Sequence, residues 1–197
     1  FLFLVFVGPV GPDFKEGVNP VKMQRVRDFD RAAPLGTGRY KVGGNYAASL
    51  LAGERAHHEG FAAAIFLDAR EKKYIDEAGP ANFFAIKGNT YVTPDSTSIL
   101  RSITNLSLKT LAEEAGMKVE ARHIPVEELA EFEEAGACGT AAVISPISEI
   151  HDRDNGKVYK FCKDGQAGEK CTMLYHRLKA IQQGEVSDPY GWITFVE

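Results

Sequence analysis

The chain has 197 residues, of which 44% are hydrophobic and 25% are charged, and its formal net charge is -4. A chain of this length and composition can bury a sizeable core in one domain or two. The small negative charge provides no basic footprint for nucleic acid or for an anionic membrane, so we expect small molecules and further copies of the chain as partners.

The opening residues 1–7 form an apolar run, Phe-Leu-Phe-Leu-Val-Phe-Val, that stops at Gly8-Pro9. The run is too short to cross a membrane and has no basic flank, so we predict a buried β-strand. A strand with this much aromatic surface needs a covering layer, and the chain does not begin with methionine, so we expect a fragment. Prolines and glycines over residues 8–27 predict a connector after this strand.

The rest of the chain alternates between helical and extended patterns, which predicts an α/β fold. Periodic apolar or acidic stretches predict helices at 46–59, 103–115, 126–134 and 171–183. Short apolar runs predict strands at 62–68, 73–77, 82–87, 90–93, 118–123 and 140–144, with a hairpin turn at Gly88-Asn89. The glutamates of 126–134 are expected to form a solvated helix face.

The cysteines and histidines show no metal-binding pattern. Cys138, Cys162 and Cys171 are an odd number and form no CxxC pair, so we expect reduced thiols and a cytoplasmic location. His57 and His58 fall near the end of a predicted helix, where we expect them to interact with the helix dipole or solvent rather than with a metal.

Lys41 lies between two glycine clusters, in the segment Gly-Thr-Gly-Arg-Tyr-Lys-Val-Gly-Gly-Asn-Tyr of residues 36–46. A Walker-type phosphate loop requires a lysine after Gly and before Ser or Thr, whereas Lys41 stands between Tyr40 and Val42. The dinucleotide fingerprint fails too, because its third glycine would fall at position 41. Two interpretations remain: a covalent cofactor anchor on a constrained backbone, and a loop lysine that faces water.

The motif Lys-Val-Gly-Gly-Asn-Tyr of residues 41–46 resembles that of the branched-chain amino-acid aminotransferases, which are pyridoxal-phosphate enzymes. The resemblance continues in the family's order through 67–68, 76–79, 82–84, 98–104, 139–141 and 188–192. It implies an α/β (α+β) fold, the large cofactor-binding domain of the fold-type IV aminotransferases, with a pseudo-barrel sheet and surrounding helices. Residues 1–14 would be a remnant strand of a small N-terminal domain, 15–27 an interdomain linker and 28–197 the large domain.

The resemblance also implies roles for eight residues. Lys41 would form the covalent bond to pyridoxal 5'-phosphate and shuttle a proton between substrate and cofactor. Glu77 would lie beside the ring nitrogen, with Asp76 on the opposite side of its strand, and Tyr46 would bind the phenolic oxygen. The others are Leu100 against the ring, Ile103, Thr104 and Thr140 at the phosphate, and Ala141, whose backbone would bind the substrate carboxylate. No metal is implied.

Three residues depart from the family pattern. Pro80 replaces a threonine common in the family, and it has neither a hydroxyl nor an N–H for a substrate carboxylate. Arg101 and Ser102 replace the Pro-Gly of the phosphate turn. We therefore expect the carboxylate contact and the backbone of this turn to differ from those of the family.

The implied activity is the exchange of an amino group between Leu, Ile or Val and 2-oxoglutarate, by a protein that is a homodimer when intact. A D-amino-acid aminotransferase and an aminodeoxychorismate lyase of the same fold are alternatives, although Gly-Gly-Asn-Tyr after Lys41 favours the branched-chain group. Another alternative is a fragment without activity, because the family places the phosphate-binding arginine and much of the substrate pocket on the small domain. We expect low activity from the isolated chain.

Overall fold

A computed structural model describes residues 2–9, 18–162 and 165–195. The strands are β1 (Val21–Arg25), β2 (Ala63–Leu67), β3 (Ile75–Ala78), β4 (Ala81–Lys87), β5 (Thr90–Pro94), β6 (Lys118–Arg122), β7 (Glu134–Gly139), β8 (Val143–Asp152) and β9 (Val158–Lys160). The helices are α1 (Gly43–His58), α2 (Ile103–Glu114) and α3 (Glu169–Gln182), with a short 3₁₀ helix at Val126–Glu131. None of the helices in these ranges has the length and apolarity needed to cross a bilayer.

Six strands close into a barrel in the order β3-β2-β1-β8-β7-β4, because β4 also pairs with β3. β5 and β6 extend the sheet from β4, and β9 pairs with β8. β1 is parallel to both β2 and β8, and β5 is parallel to β6, which it reaches through α2 as the crossover helix. The expected pseudo-barrel sheet with surrounding helices is confirmed.

The alternation of side chains along the strands divides the core into layers. Ile65 of β2 and Phe83 of β4 belong to a buried cluster that draws on all six barrel strands and fills the barrel. Their neighbours face outward: Phe66 packs against α1, and Phe84 packs in the layer that contains α2 and α3. The helices therefore cover the outside of the barrel and leave one end of it for a site.

The N-terminal segment differs from its prediction. Residues 2–9 form no strand, and Phe3 and Phe6 are 88% and 96% exposed, so the buried strand predicted over 1–7 is wrong for the part that is described. These residues pair with no strand edge in the described chain, and an unpaired run has no sheet to bury it. Residues 1 and 10–17 lie outside the described residues. The connector predicted over 8–27 contains β1, whose five residues are too short to stand out between proline-rich and charged neighbours.

The stretch after α2 and β6 differs as well. The helix predicted at 126–134 is a 3₁₀ helix that ends at Glu131, and Glu134 begins β7. Glu134 does not lie on a solvated helix face, because its carboxylate accepts the backbone N–H groups of Lys170 and Cys171, at 3.1 and 2.8 Å, where α3 begins. This contact caps α3 from a distant strand, which no local pattern could predict.

The strand predicted at 140–144 begins only at Val143, where β8 starts, and residues 140–142 form the turn between β7 and β8. The small residues of β7, Ala-Gly-Ala-Cys-Gly, show no alternation that would mark a strand before this turn. Thr140 and Ala141 therefore lie at the exposed tip of a hairpin at one end of the barrel and not in a buried strand.

Candidate active site

The loop that carries Lys41 is attached to the first turn of α1 by Asn45. The buried Asn45 amide donates to the carbonyl oxygens of Thr37 and Tyr40, at 2.8 and 2.9 Å, and accepts the Thr37 hydroxyl at 2.8 Å. All its side-chain contacts fall on residues just before the lysine, so Asn45 fixes the backbone path of Lys41. The Asn of the Lys-x-Gly-Gly-Asn-Tyr motif thus has a structural role in this chain.

Lys41 and Tyr46 lie side by side at the start of α1. The Nζ atom of Lys41 donates to the Tyr46 hydroxyl at 3.2 Å and lies 5.5 Å from the centre of its ring. Lys41 is exposed and Tyr46 is half-buried, whereas the neighbouring Tyr40 is 66% exposed, and its carbonyl oxygen accepts the Asn45 amide. The amine is therefore presented to solvent-accessible space with a phenol as its neighbour.

This pair lines a cavity of about 520 Å³ at one end of the barrel. Thr140 and Ala141, on the turn between β7 and β8, line the same cavity, and so does His57 from the far end of α1. Most of the remaining lining is small and apolar: Met23, Ala62, Ala63, Ala78, Pro80, Ala81, Ala137 and Ala142. A cavity of this size, with few polar groups in a largely apolar wall, is typical of a small-molecule site.

Glu77 of β3 is buried and does not line this cavity, although the next residue, Ala78, does. One carboxylate oxygen accepts the Leu100 N–H at 2.7 Å, and the other lies 3.3 Å from Nε of Arg31. Burial raises the pKa of Glu77 to about 7, although the charge of Arg31 and the Leu100 N–H oppose the rise. Glu77 is thus a carboxyl group whose charge is sensitive to a positive group placed beside it.

Arg31 is a site residue that the sequence analysis missed. It is only 8% exposed; its Nε forms the ion pair with Glu77, and its Nη2 donates to the carbonyl oxygens of Gly38 and Ser98. Gly38 lies so close to the Ser98 backbone that a Cβ atom would overlap it, which explains the glycine at this position. Arg31 therefore joins three segments: the Lys41 loop, the end of β3 and the turn before α2. Nothing in the surrounding sequence distinguishes this arginine from a surface one.

The turn before α2 is also held by Asp76 and Asn82. The hydroxyls of Ser96 and Ser98 donate to Asp76, at 3.0 and 2.6 Å, and burial raises the pKa of this carboxyl group. Asn82 donates to the Leu100 carbonyl oxygen at 2.9 Å. The carboxylates of Asp76 and Glu77, expected on opposite sides of their strand, both bind the turn before α2, at the serines and at Leu100 respectively.

The first turn of α2 has free backbone donors. Ser102 caps the helix, since its hydroxyl accepts the Asn105 N–H at 3.1 Å. The N–H groups of Ile103 and Thr104 have no acceptor among the described residues. The turn contains no acidic residue, so the helix dipole and these two donors favour an anion here.

The eight residues singled out in the sequence fall into two groups. Lys41, Tyr46, Thr140 and Ala141 line the 520 Å³ cavity. Leu100 lines a neighbouring cavity of about 210 Å³ instead, the Ile103 side chain is 75% exposed, and the side chain of Thr104 is buried. Glu77 is tied to Leu100 by its hydrogen bond, so it connects the two groups.

Comparison with known proteins identifies the family. The family model for class IV amino-transferases matches residues 15–150. The chain belongs to the class IV aminotransferases. It is 48% identical to branched-chain-amino-acid aminotransferases of Haemophilus influenzae and Helicobacter pylori, over 100% and 98% of this chain but only 59% and 56% of theirs.

Solved structures of branched-chain amino acid aminotransferases agree with this fold. The branched-chain aminotransferase of Escherichia coli superimposes with a TM-score of 0.82 and 30% identity over 94% of this chain and 59% of that chain. The enzyme of Thermobaculum terrenum, solved in its PLP form, gives a TM-score of 0.74 and 28% identity over 85% of this chain and 52% of that chain. The chain thus spans less than two thirds of the length of the relatives it matches.

The residues present fit pyridoxal phosphate, the cofactor that this family implies. The accessible Lys41 amine, which lies beside a phenol, suits the aldehyde of the cofactor. The buried carboxyl group of Glu77 suits the ring nitrogen. The two free N–H groups at the start of α2 suit the phosphate. The glycines of the motif are consistent with a bound cofactor, because Cβ atoms at Gly43 and Gly44 would meet no protein atom within 4 Å. The protein's own packing therefore does not account for these glycines.

His57 is exposed in the last turn of α1, in agreement with its expected contact with solvent and the helix dipole, and it also lines the cavity with Lys41. Val143, directly after the turn that carries Thr140 and Ala141, has φ +61°, a left-handed conformation that is costly for a β-branched residue.

In the described chain no cluster of His, Cys, Asp and Glu is arranged to hold a metal ion.

Proposed function

We propose that this chain is the cofactor-bearing part of a branched-chain amino-acid transaminase, which exchanges an amino group between Leu, Ile or Val and 2-oxoglutarate. The observation that carries the proposal is the Lys41 amine, 3.2 Å from the Tyr46 hydroxyl, at the edge of an apolar cavity. The names of the relatives support the substrate class, and the alanine-rich wall suits aliphatic side chains.

Lys41 is the central residue of the proposed mechanism. Pyridoxal phosphate, when bound, supplies an electron-withdrawing ring that makes the hydrogen on the substrate Cα acidic. The Nζ atom of Lys41 would hold the cofactor covalently until the amino group of the substrate displaces it, and the released neutral amine would then move the Cα proton. The Tyr46 hydroxyl orients the cofactor at its phenolic oxygen. Glu77 holds a proton at the ring nitrogen, because a positive ring nitrogen beside its carboxylate is stabilised in this buried position.

The remaining site residues bind and orient. The N–H groups of Ile103 and Thr104, together with Thr140, hold the phosphate, and Leu100 packs against the ring. The backbone of Ala141 binds the substrate carboxylate. Pro80 lines the same cavity without an N–H or hydroxyl, so in this chain the carboxylate contact depends on the turn between β7 and β8.

Borohydride reduction in the presence of pyridoxal phosphate, followed by peptide mass mapping, tests the role of Lys41. We expect the label on Lys41 and its loss in Lys41→Ala. Lys157→Ala is the matched control, because Lys157 is also an exposed lysine beside a tyrosine, with Nζ 4.5 Å from the Tyr159 ring. Label spread over surface lysines, unaffected by Lys41→Ala, would contradict the proposal.

The alternatives differ in substrate. A D-amino-acid aminotransferase would act on D-amino acids, and an aminodeoxychorismate lyase would release a product without an amino acceptor. Assays with L-leucine, L-valine and D-alanine, each with 2-oxoglutarate, separate the two transaminase activities, and a lyase would turn over none of these substrates. Turnover of D-alanine alone would reject the branched-chain assignment.

Activity also depends on the part of the relatives that this chain does not match. We propose that the 197-residue chain is much less active than an intact relative, that the intact protein is a homodimer, and that it is cytoplasmic. Turnover of the purified chain should be compared with that of the Haemophilus influenzae relative, and light scattering gives the oligomeric state. Equal turnover numbers would show that the chain needs nothing more.

A further inference from the structure

A hydrogen-bonded network under the start of α2 plays no part in the mechanism above. The hydroxyl of Tyr91, in β5, donates to Oδ1 of Asn105 at 2.7 Å. Nδ2 of Asn105 donates to the Thr93 hydroxyl at 2.9 Å, and that hydroxyl donates to the Phe83 carbonyl oxygen at 2.9 Å. The Asn105 side chain is thus used as both acceptor and donor, which an aspartate or a leucine could not reproduce.

The far end of this network is rigidly packed. Tyr91 is fully buried and stacks on Phe84, with ring centres 4.9 Å apart and an interplanar angle of 12°. The Phe84 ring lies directly over Gly136 of β7, where a Cβ atom would overlap it. Burial also raises the pKa of Tyr91, so its phenol stays a hydrogen-bond donor. The barrel therefore fixes the Tyr91 hydroxyl, and through it the Asn105 side chain.

Asn105 in turn connects the barrel to the first turn of α2. Its backbone N–H donates to the Ser102 hydroxyl, so its main chain takes part in the helix cap while its side chain is held by β5. Ile103 and Thr104, whose N–H groups have no acceptor among the described residues, lie between these two points. Anion binding by such donors depends on their being held in place before the ligand arrives.

We propose that Asn105 is a positioning residue, which holds the first turn of α2 so that the N–H groups of Ile103 and Thr104 bind the phosphate group of the cofactor. The inference rests on the proposed function, because that function supplies the phosphate-bearing ligand. It assigns to Asn105 a role that acts through the backbone N–H groups of its neighbours Ile103 and Thr104.

The test compares the affinities of the chain for pyridoxal phosphate and for pyridoxal, which lacks the phosphate. Asn105→Leu removes the whole side-chain network, and Tyr91→Phe removes only its donor to Oδ1 while leaving α2 unchanged. We expect Asn105→Leu to raise the Kd of pyridoxal phosphate about tenfold, the factor that corresponds to a hydrogen bond, and to leave that of pyridoxal within about twofold. Tyr91→Phe should give a smaller change in the same direction.

Thr110→Val is the control on the same helix, since its hydroxyl bonds only the Leu106 carbonyl oxygen of α2 and should affect neither ligand. If Asn105→Leu or Tyr91→Phe changes both affinities by the same factor, or changes neither, the proposal is overturned. Should Asn105→Leu not fold, Tyr91→Phe still decides.

A titration with inorganic phosphate, followed by amide NMR, separates this proposal from the proposed function. Shifts at Ile103 and Thr104 that are present in the unchanged chain and weakened in Tyr91→Phe support Asn105 positioning even if Lys41 is never labelled. Absence of the shifts in the unchanged chain overturns it, whatever is found at Lys41.

Discussion

Replacing Arg31 by methionine should destabilise the protein in a pH-dependent way. Methionine has a similar length but no charge and no donor, so it leaves the carboxylate of Glu77 buried without its cation. The two side chains are only 8% and 4% exposed and lie 3.3 Å apart, so little solvent screens them. Because Arg31 is the strongest influence that lowers the pKa of Glu77, its loss should raise that pKa above about 7.

The expected loss has two parts. Two carbonyl oxygens, of Gly38 and Ser98, lose their donor at every pH, which costs about 1–3 kcal/mol. The second part concerns Glu77, whose folded pKa of about 7 exceeds the ordinary 4.5, so the folded state binds the proton more tightly. The stabilising contribution of Glu77 is therefore fully present below about pH 4.5 and is lost as the pH rises to about 7, by on the order of 3 kcal/mol in the unchanged protein. In Arg31→Met the fall continues to higher pH.

Urea unfolding at pH 5 and pH 9 measures both parts. At pH 5 Glu77 is protonated in both folded proteins, so Arg31→Met should cost only about 1–3 kcal/mol; at pH 9 the cost should reach about 3–5 kcal/mol, as for a broken buried ion pair. Arg55→Met is the control, because its partner Asp28 is 55% exposed and has a pKa lowered to about 2, chiefly by its hydrogen bond with Arg55. That pair is ionised at both pH values and should contribute less than about 1 kcal/mol at each. An equal loss at pH 5 and pH 9 for Arg31→Met would refute the reasoning.

Two further predictions concern packing and the Lys41 loop. Gly136→Ala should lower the free energy of unfolding in urea by about 1–3 kcal/mol, because the new methyl group overlaps the Phe84 ring. In the control Gly53→Ala, in α1, the methyl group meets no atom within 4 Å and should raise that free energy by about 0.5–1 kcal/mol. Changes of the same sign in the two variants would contradict this prediction. Asn45→Leu should slow borohydride labelling of Lys41 and cost about 1–3 kcal/mol, because the loop carbonyls lose their donor; an unchanged labelling rate would show that the loop needs no such support.

Local patterns predicted the elements whose signals lie within one stretch of chain. α1 and α2 were predicted because apolar residues recur along them and a glycine follows, and the structure ends both helices within two residues of those glycines. β4 and β5 were predicted with their hairpin turn at Gly88-Asn89, and Gly88 has the positive φ of 53° that such a turn requires.

Elements whose stability comes from distant contacts were missed. β7 has the small residues typical of a loop, but Gly136 is small because the Phe84 ring occupies the space where a Cβ atom would lie. The site residues also differ in whether their contacts are local or distant. The motif predicted Lys41 and Tyr46, whose contact is local, but it did not predict Arg31. The partners of Arg31 lie 7, 46 and 67 positions away along the chain, and such spacing leaves no trace in a single sequence.

These distant contacts also explain how the turn before α2 can depart from the family sequence. Its geometry is imposed from outside: Arg31 holds the carbonyl of Ser98, Asp76 holds the serine hydroxyls, and both backbone groups of Leu100 are taken by Glu77 and Asn82. None of these contacts uses the side chain at position 101, where the exposed Arg101 stands in place of the usual proline. A turn fixed by its surroundings does not need proline to restrict its backbone, so this substitution can change the charge beside α2 without moving the N–H groups that the helix presents.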